Sequence, residues 1–504
     1  MSCRVVPIGR RILERNIKAR YHAGDIGTED ALHLFDELLQ VAQPSSIHAI
    51  NCLLTVVGRD CPALGVSLFN HIARAKVPLH NITYGILVDC CCRAGRLDLG
   101  HAAMGHVIKL GFTAEAIVNF SHLLKAICTE KKTSYAMDIV LRIMPMFNCV
   151  PNIFSYNILF KGLCNEKRSH EALELIQIMV EDGGCCRPDA VTYSTVIHGL
   201  CKEGEVDQAY SLLCEMLQRG ILPDVVTCSS IISGMCKAHA MDKAEEVLQQ
   251  MFDIGILPDV VTYNSLIHGY YSLGRCKEVD RILKEMSRNG VQPNTVTSNI
   301  QMDYLCKSGR WSEARKVFDS MISSGQKPTI TTYNILIDAY SKNGRIDDAL
   351  VLFRKTLDSV NPSIITFNIM IGALLKGGRK EEAKDLFDSI WAQGLVPTVV
   401  TYGLMIQKLI EEGSVQESDD VFLSMEKNGC AANSRMLNAI VRRLLKKGEM
   451  LGAGTYLSKI DERRFTIEAS TASLLAALAS GGKGQEYKDL LPEKYHYFLE
   501  QGTD

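Results

Sequence analysis

The residues in this sequence best suited to chemistry are its 18 cysteines. Thiolates at regular spacing could bind zinc, but the ligands of a zinc ion must converge on one point. Six of the cysteines recur once per repeat of the chain, so they would lie in successive layers, and we interpret them as small buried residues at a tight contact between helices. These six are Cys92, Cys128, Cys164, Cys201, Cys236 and Cys306. We therefore predict no metal site and no cofactor.

The sequence also contains no motif of a known catalytic centre. It has no glycine-rich phosphate loop, no nucleophile elbow and no zinc-binding helix with paired histidines. His198 and His268 share one repeat position, two repeats apart, which favours a place at the surface or in a groove over catalysis. We predict no catalytic residues and no enzymatic activity.

A motif of the type Val-Thr-Tyr recurs at intervals of 35 residues, with one interval of 34, and its copies begin at residues 191, 226, 261, 296, 331, 365 and 400. Glycines such as Gly204 fall in the middle of each unit, and others such as Gly220 fall near its end, followed three residues later by a proline such as Pro223. Glycine ends a helix, and proline prevents its continuation. Each unit is therefore predicted to form helix, turn, helix, turn, and to stack on its neighbours because one helix pair cannot bury enough apolar surface alone.

The predicted fold is all-α: a right-handed α-solenoid superhelix of about 12 helix-turn-helix repeats of 35 residues. We place the repeat array at residues 29–468 and C-terminal capping helices at residues 469–504. Residues 1–28 form a basic segment whose arginine-rich, acid-poor composition resembles an organelle transit peptide, with an ordinary basic terminus as the alternative. No apolar run approaches the roughly 18 residues that cross a bilayer, so we expect no membrane partner.

Residues 260–294, VVTYNSLIHGYYSLGRCKEVDRILKEMSRNGVQPN, resemble a pentatricopeptide repeat of the 35-residue P-type. A tetratricopeptide repeat has a period of 34 residues and a Trp-x-x-Leu-Gly pattern that is missing from this sequence. The segments YGILVDCCCRAGRLDLGHA at 84–102 and NIFSYNILFKGLCNEKRSHEALELIQIMVEDGG at 152–184 resemble the plant restorer-of-fertility-like subgroup. The resemblance implies sequence-specific binding of single-stranded RNA, one base per repeat, in the processing, stability or translation of organelle transcripts and in fertility restoration.

The resemblance also implies that the fifth and the last residue of each repeat read the edge of one base. In chain order, the implied pairs are Ser121 with Asn152 for adenine, Asn157 with Asp189 for uracil, Ser194 with Asp224 and Ser229 with Asp259 for guanine, and Asn264 with Asn294, Asn299 with Thr329, Asn334 with Ser363 and Asn368 with Thr398 for cytosine or another pyrimidine. The hypothetical target is 5′-A-U-G-G-C-Y-C-Y-3′, with the N-terminal repeats at its 5′ end. Gly85 and Gly403 have no side chain to read a base, and we assign their repeats no preference.

Two further columns of residues complete the implied interface. The second residue of each repeat packs on the base faces, and these residues are Val118, Phe154, Val191, Val226, Val261, Val296, Thr331, Ile365 and Val400. Cations at the thirteenth position would contact phosphates, and they are Arg93, Lys202, Lys237, Lys307, Lys342 and Lys376. The alternative for this second column is a solvated helix end, where a cation offsets the helix dipole. A net charge of −2 gives no sign of a nucleic-acid partner, so the prediction rests on this local column.

Two other functions compete with RNA binding: a protein-binding scaffold, and an enzyme such as an RNA-editing deaminase or a nuclease at the C-terminus. A protein-binding α-solenoid scaffold would not explain why the fifth position stays within Asn, Ser and Gly through Gly403. An RNA-editing deaminase would carry His-x-Glu and Cys-x-x-Cys motifs, and the residues after 468 contain His496 and no cysteine. We expect a monomer in the mitochondrion, with the chloroplast as the alternative, that recruits a nuclease or another processing protein.

Overall fold

The computed structural model describes residues 8–40, 47–74, 79–112, 116–181, 186–478 and 490–500, and no strand occurs among them. The chain divides into two compact units, residues 1–273 and 274–504. The helices of the first unit are α1 Ile8–Ala23, α2 Thr28–Gln40, α3 Ile47–Asp60, α4 Pro62–Arg74, α5 Asn81–Arg93, α6 Leu97–Lys109, α7 Ile117–Thr129, α8 (the consecutive segments Thr133–Asp138, Ile139–Ile143 and Met144–Met146), α9 Ile153–Asn165, α10 Ser169–Glu181, α11 Ala190–Glu203, α12 Val206–Gln218, α13 Val225–Lys237, α14 Met241–Asp253 and α15 Val260–Ser272.

The second unit continues the same alternation of helices. Its helices are α16 Cys276–Arg288, α17 Thr295–Lys307, α18 Trp311–Ser323, α19 Ile330–Lys342, α20 Ile346–Ser359, α21 Ile364–Lys376, α22 Lys380–Ala392, α23 Val399–Glu412, α24 Val415–Lys427, α25 Ser434–Lys447, α26 Met450–Glu462, α27 Ala469–Leu478 and α28 His496–Glu500. The predicted all-α, helical repeat fold is confirmed, and first helices also begin at Ile47, Asn81, Ile117 and Ile153, ahead of the copies of the Val-Thr-Tyr motif.

Local chemistry explains where the helices begin and end. Helix α11 begins after Asp189, whose carboxylate accepts a hydrogen bond from the backbone N–H of Thr192 at 2.8 Å. It ends at Gly204, whose φ of 89° lies in the left-handed region that glycine enters at little cost. Helix α8 departs from this regularity. It widens into a π-helical segment at Ile139–Ile143, which ends two residues before Pro145, a residue that lacks the N–H that a regular helix needs.

Within each unit, the first helix of a repeat packs on its own second helix and on the first helix of the next repeat. The fourth residue of the first helix is a core anchor, since Tyr193 and Tyr263 in the first unit and Tyr402 in the second are at most 1% exposed. Removing such a buried aromatic side chain typically costs about 3–5 kcal/mol. These anchors hold the neighbouring residues of the same turn, including the second and fifth, at constant positions from repeat to repeat.

The recurrent cysteines lie at close contacts between consecutive first helices. A Cβ atom added to Gly199 would lie 2.4 Å from the Sγ atom of Cys164, and one added to Gly162 would lie 2.8 Å from that of Cys128. The predicted tight contact is confirmed, although only Cys236 of the six is fully buried and the others are half-buried. Burial raises the pKa of the Cys236 thiol to about 12, which keeps it protonated and unreactive.

The N-terminal basic segment contributes a helix to the core of the first unit. Leu13, Ile17 and Tyr21 of α1 follow one another at intervals of four residues and therefore lie on one face. Ile17 is fully buried in a cluster with Phe35 of α2 and Leu53 of α3. Helix α1 packs on α3, and Arg20 of α1 forms an ion pair with Asp30 of α2 at 2.8 Å.

The C-terminal residues close the second unit. Tyr495 is 2% exposed, and its hydroxyl group donates a hydrogen bond to Asp461 of α26 at 2.9 Å. The backbone carbonyl of Leu490 would lie 2.2 Å from a Cβ atom added to Gly454, so the chain passes directly over this glycine. Among the described helices, none is both long and apolar enough to span a bilayer.

Candidate nucleic-acid interface

The last residue of a repeat caps the first helix of the next repeat. Asp189, Asp224 and Asp259 each accept a hydrogen bond from the backbone N–H of the threonine three residues later, at 2.7–2.9 Å. The same carboxylate oxygen lies 2.6–2.9 Å from the hydroxyl group of that threonine. The last residue is therefore held rigidly by a helix N-terminus, whose partial positive charge favours an acid there.

The fifth residue of the preceding repeat contacts the same threonine. The hydroxyl oxygen of Thr192 lies 2.7 Å from Oδ1 of Asn157, and that of Thr227 lies 2.7 Å from Oγ of Ser194. Thr262 repeats the contact with Ser229 at 2.7 Å. In these three repeats, the structure thus brings together the fifth and last residues through one buried hydroxyl group, although they are 30 or more positions apart in the sequence.

The other pairs show variations of this arrangement. In the pair Ser121 with Asn152, the place of threonine is taken by Ser155, whose N–H and hydroxyl groups contact Asn152 at 3.0 and 3.2 Å. Ser121 itself donates to the carbonyl group of Ile117 at 2.8 Å. Asn294 caps α17 through Thr297, at 3.1 Å from its N–H group.

Three asparagines of the second unit share one feature. Their Oδ1 atoms are buried and have no hydrogen-bond partner among the described residues, and they belong to Asn299, Asn334 and Asn368. The last residues of these repeats instead contact the third-position threonine at 3.1–3.3 Å through their hydroxyl groups, and they are Thr329, Ser363 and Thr398. Because no hydrogen-bond partner fixes these Oδ1 atoms, the three amides are the least constrained of the fifth residues. Each unpartnered buried atom costs about 1–3 kcal/mol.

The second residues of the repeats form a column of exposed apolar side chains. Eight of the nine have exposed fractions between 49% for Phe154 and 68% for Val226, and the ninth, Thr331, is also exposed. The other six of these eight residues are Val118, Val191, Val261, Val296, Ile365 and Val400. Apolar residues that remain exposed at one repeat position, beside a fully buried third residue, indicate a surface that binds another molecule.

In the first unit, a groove of about 980 Å³ is lined by all three kinds of predicted residue, namely those for base stacking, base reading and phosphate contact. Its lining includes the apolar residues Phe154 and Val191, the base-reading candidates Asn157 and Ser194, and Lys202. His198 lines the groove as well, in agreement with the surface or groove position that its repeat position favoured. The lining also includes Lys125, Lys161 and Leu222, which were not predicted. Lys125 and Lys161 share the ninth repeat position with His198, a column that could have been found by extending the repeat alignment.

The thirteenth-position cations fall into two electrostatic groups. Arg93, Lys307 and Lys342 each pair with an aspartate four residues earlier, at 3.4, 2.7 and 2.6 Å. For Lys202, Lys237 and Lys376, no ion pair is found within the described part of the chain. All six side chains belong to exposed residues, so the unpaired three are better placed to attract phosphate than the paired three.

The first unit has further cations along the groove. Lys125 lies 4.8 Å above the ring of Phe154, a distance typical of a cation–π contact. Desolvation, together with the charges of Lys202 and Lys237, lowers the pKa of His198. His198 is therefore neutral at physiological pH, and its Nδ1 atom lies 3.2 Å from the hydroxyl oxygen of Ser230. Among the described residues, no cluster of histidines, cysteines or acids is arranged to bind a metal ion.

Comparisons with known proteins match the chain to repeat families over most of its length. A model described as the PPR repeat family matches residues 151–201, 188–237, 223–272, 258–303, 293–342 and 362–411. A PPR repeat model matches residues 82–112, 331–359 and 400–430, and a pentatricopeptide repeat domain model matches residues 113–166.

Curated relatives and solved structures agree with these matches. Protein Rf1, mitochondrial, of Oryza sativa subsp. indica is 60% identical over 204 residues, which cover 40% of this chain and 26% of that protein. Pentatricopeptide repeat-containing protein At1g12620 of Arabidopsis thaliana is 34% identical over 89 residues, 18% of this chain and 14% of that protein. The chain thus spans about a quarter or less of these relatives.

The pentatricopeptide repeat protein PPR10 from maize has the same fold, with a TM-score of 0.56 and 22% identity over 97% of this chain and 80% of that one. PPR10 in complex with an 18-nt psaJ RNA element matches with a TM-score of 0.51 and 19% identity, over 98% of this chain and 87% of that one. The chain belongs to the pentatricopeptide repeat family, within its restorer-like subgroup.

Proposed function

We propose that this protein binds single-stranded RNA in a sequence-specific manner, with one base for each repeat. The observation that carries this proposal is the convergence of the fifth and last side chains on one buried hydroxyl group, next to an exposed apolar residue. Such a site offers an apolar side chain to the face of a base and two fixed polar groups to its edge, which is what recognition of an unstacked base requires.

The residue assignments extend the proposal to a target sequence. The eight pairs from Ser121 with Asn152 to Asn368 with Thr398 would read 5′-A-U-G-G-C-Y-C-Y-3′, with the apolar column from Val118 to Val400 against the base faces. The unpaired cations Lys202, Lys237 and Lys376 would contact phosphates, and the paired cations Arg93, Lys307 and Lys342 would contribute less. The PPR10 structure with bound RNA supports this use of the fold.

The cellular role follows from the same proposal. The mitochondrial relative Rf1 and the basic segment at residues 1–28 support a role in a mitochondrial transcript. The consequence for the RNA would be indirect, through protection, remodelling or recruitment of a nuclease. A reporter fused to residues 1–28 should enter isolated mitochondria, and failure to enter would remove the support that this segment gives.

The direct test is selection of RNA ligands from a random pool by the full chain, with binding then measured by fluorescence anisotropy at controlled salt. We expect enrichment of A-U-G-G followed by pyrimidines. Val226→Asp should weaken binding at least tenfold, because Val226 is 68% exposed in the apolar column and a charge would repel the base face. Leu451→Asp is the matched control, since Leu451 is 71% exposed on the second helix α26.

Each outcome of the selection decides a different point. Enrichment of an unrelated motif would retain RNA binding but reject the residue assignments. No enrichment at low salt would refute the proposal and favour a protein-binding scaffold, for which a partner pull-down would be the next experiment.

A further inference from the structure

Two repeats of the first unit have a lysine at the ninth position and lack a cation at the thirteenth. The ninth residues are Lys125 of α7 and Lys161 of α9, and the thirteenth residues are Thr129 and Asn165. The hydroxyl group of Thr129 donates to the backbone carbonyl of Lys125 at 2.8 Å, so its proton is used within the helix. In these two repeats, the positive charge therefore lies four residues, or about one helical turn, closer to the base-reading residue.

The ninth residue lies on the groove side of its helix. It is four residues from both the fifth and the thirteenth residue, so all three share one face, with steps of about 6 Å along the helix axis. Lys125 and Lys161 are exposed and line the groove together with Phe154 and Asn157. The Nζ atom of Lys125 lies 4.8 Å from the centre of the Phe154 ring, which places its charge beside a residue predicted to pack on a base.

Neither the helix dipole nor an ion pair explains these two lysines. The last turns of α7 and α9 contain no basic residue, and the effect of the dipole falls off within the last turn. No acidic residue forms an ion pair with Lys125 or Lys161 in the part of the chain that the structure describes. Asp224 also lines the groove, but it caps α13 through Thr227. The two uncompensated charges therefore favour an anionic ligand in the groove.

The ninth position has the opposite role in three other repeats. There it holds an aspartate that neutralises the cation at the thirteenth position, in the pairs Asp89 with Arg93, Asp303 with Lys307 and Asp338 with Lys342. In the two repeats that follow α9, the ninth residues are His198 and Ser233, and neither is an acid that would neutralise Lys202 or Lys237. Desolvation, and then the charges of both lysines, lower the pKa of His198. Four consecutive repeats of the first unit thus each present one unpaired cation.

Resting on the RNA-binding function proposed above, we propose that Lys125 and Lys161 bind phosphate groups of the RNA, in the two repeats that have no cation at the thirteenth position. With Lys202 and Lys237, they supply one cation in each of four consecutive repeats, which read the first four nucleotides of the proposed target. A lysine binds phosphate as a point charge on a flexible stem, so it does not require one fixed repeat position. The RNA backbone then lies nearer the base-reading residues at its first two nucleotides than at the next two.

The first test is the salt dependence of RNA binding by the full chain. Labelled 5′-AUGGCUCU-3′ is titrated by fluorescence anisotropy at salt concentrations from about 50 to 200 mM. Lys125→Gln combined with Lys161→Gln should make the slope of log affinity against log salt shallower by about 1.4, or about sevenfold in relative affinity over this range. If the selection enriches another sequence, that RNA replaces the probe in this test, because phosphate contacts carry no sequence information.

The matched control is Lys131→Gln combined with Lys167→Gln. These two lysines belong to the same repeats and are exposed, but they do not line the groove. The control therefore removes the same charge from the protein and should leave the slope unchanged. An unchanged slope in the Lys125 and Lys161 variant, or an equal loss of slope in the control, would overturn the inference.

A second test locates the contact on the RNA. The two phosphate linkages on either side of the second nucleotide of 5′-AUGGCUCU-3′ are replaced with uncharged methylphosphonates. The wild-type slope should become shallower by about 1.4, but that of the Lys125 and Lys161 variant by less than half as much. Equal changes in the two proteins would place the contact elsewhere and overturn the inference. Failure of the wild-type protein to bind this RNA or any other from the random pool would instead refute the proposed function.

Discussion

The division of the thirteenth-position cations into paired and unpaired residues predicts which of them determine the salt dependence of RNA binding. Lys202 and Lys237 have no ion pair within the described residues, whereas Lys307 is held by Asp303 and Lys342 by Asp338. A lysine that neutralises a phosphate releases a counterion, but a lysine already paired with an aspartate belongs to a group with no net charge. The unpaired lysines should therefore account for most of the salt dependence of RNA binding.

The magnitude can be worked out from the number of contacts. On single-stranded RNA, each phosphate contact contributes about −0.7 to the slope of log affinity against log salt. Lys202→Gln combined with Lys237→Gln should thus make the slope shallower by about 1.4, which corresponds to about sevenfold in relative affinity between 50 and 200 mM salt. Fluorescence anisotropy titrations of one labelled RNA at several salt concentrations measure this slope directly.

The matched control removes complete ion pairs. Replacing Lys307 with Gln together with Asp303 with Asn, and Lys342 with Gln together with Asp338 with Asn, leaves the net charge unchanged and should leave the slope unchanged. Replacing only the two aspartates should steepen the slope, because two lysines are released. An unaltered slope in the Lys202 and Lys237 variant, or an equal loss in the control, would refute the assignment of phosphate contacts.

Three further predictions concern the packing, the code and the thiols. Gly199→Ala places a methyl group against Cys164 and should destabilise its repeat by about 1–3 kcal/mol, as measured by hydrogen exchange of α11. Adding Cys164→Ala should recover only part of the loss, because the Cβ atom of residue 164 and the Oγ atom of Ser169 both remain 2.8 Å from the new methyl group; no recovery would contradict the contact with Sγ. Asn157→Thr should shift the base preferred at the second target position from uracil towards guanine, and an unchanged preference in an RNA selection would reject the repeat register. A thiol reagent at pH 8 should label the exposed Cys61 rapidly and Cys236 only after unfolding, because burial raises the pKa of Cys236 to about 12 and the thiolate is the reactive form; rapid labelling of Cys236 in the folded protein would show that the core is open there.

Much of the candidate interface could be predicted from the sequence because the repeat places equivalent residues at constant intervals. The positions of the second, fifth and last residues follow once Val191, Val226 and Val261 are aligned. The ninth repeat position was recognised only for His198, although Lys125 and Lys161 occupy the same position and were equally accessible. The pairing of Lys307 with Asp303 was also visible as a spacing of four residues, which brings two side chains together on a helix surface.

By itself, the sequence determined the repeat length, the helix boundaries and the types of residue at each position, because these depend on local preferences and on a periodic pattern of apolar residues. Only the tertiary structure decided how residues of successive repeats combine. Asp224 and Thr227 are neighbours on one helix turn, but Ser194 reaches Thr227 across 33 residues because the first helices of adjacent repeats pack side by side. The burial of Ile17 in the core of the first unit likewise depends on apolar faces of α2 and α3, which this residue of α1 contacts only in the folded chain.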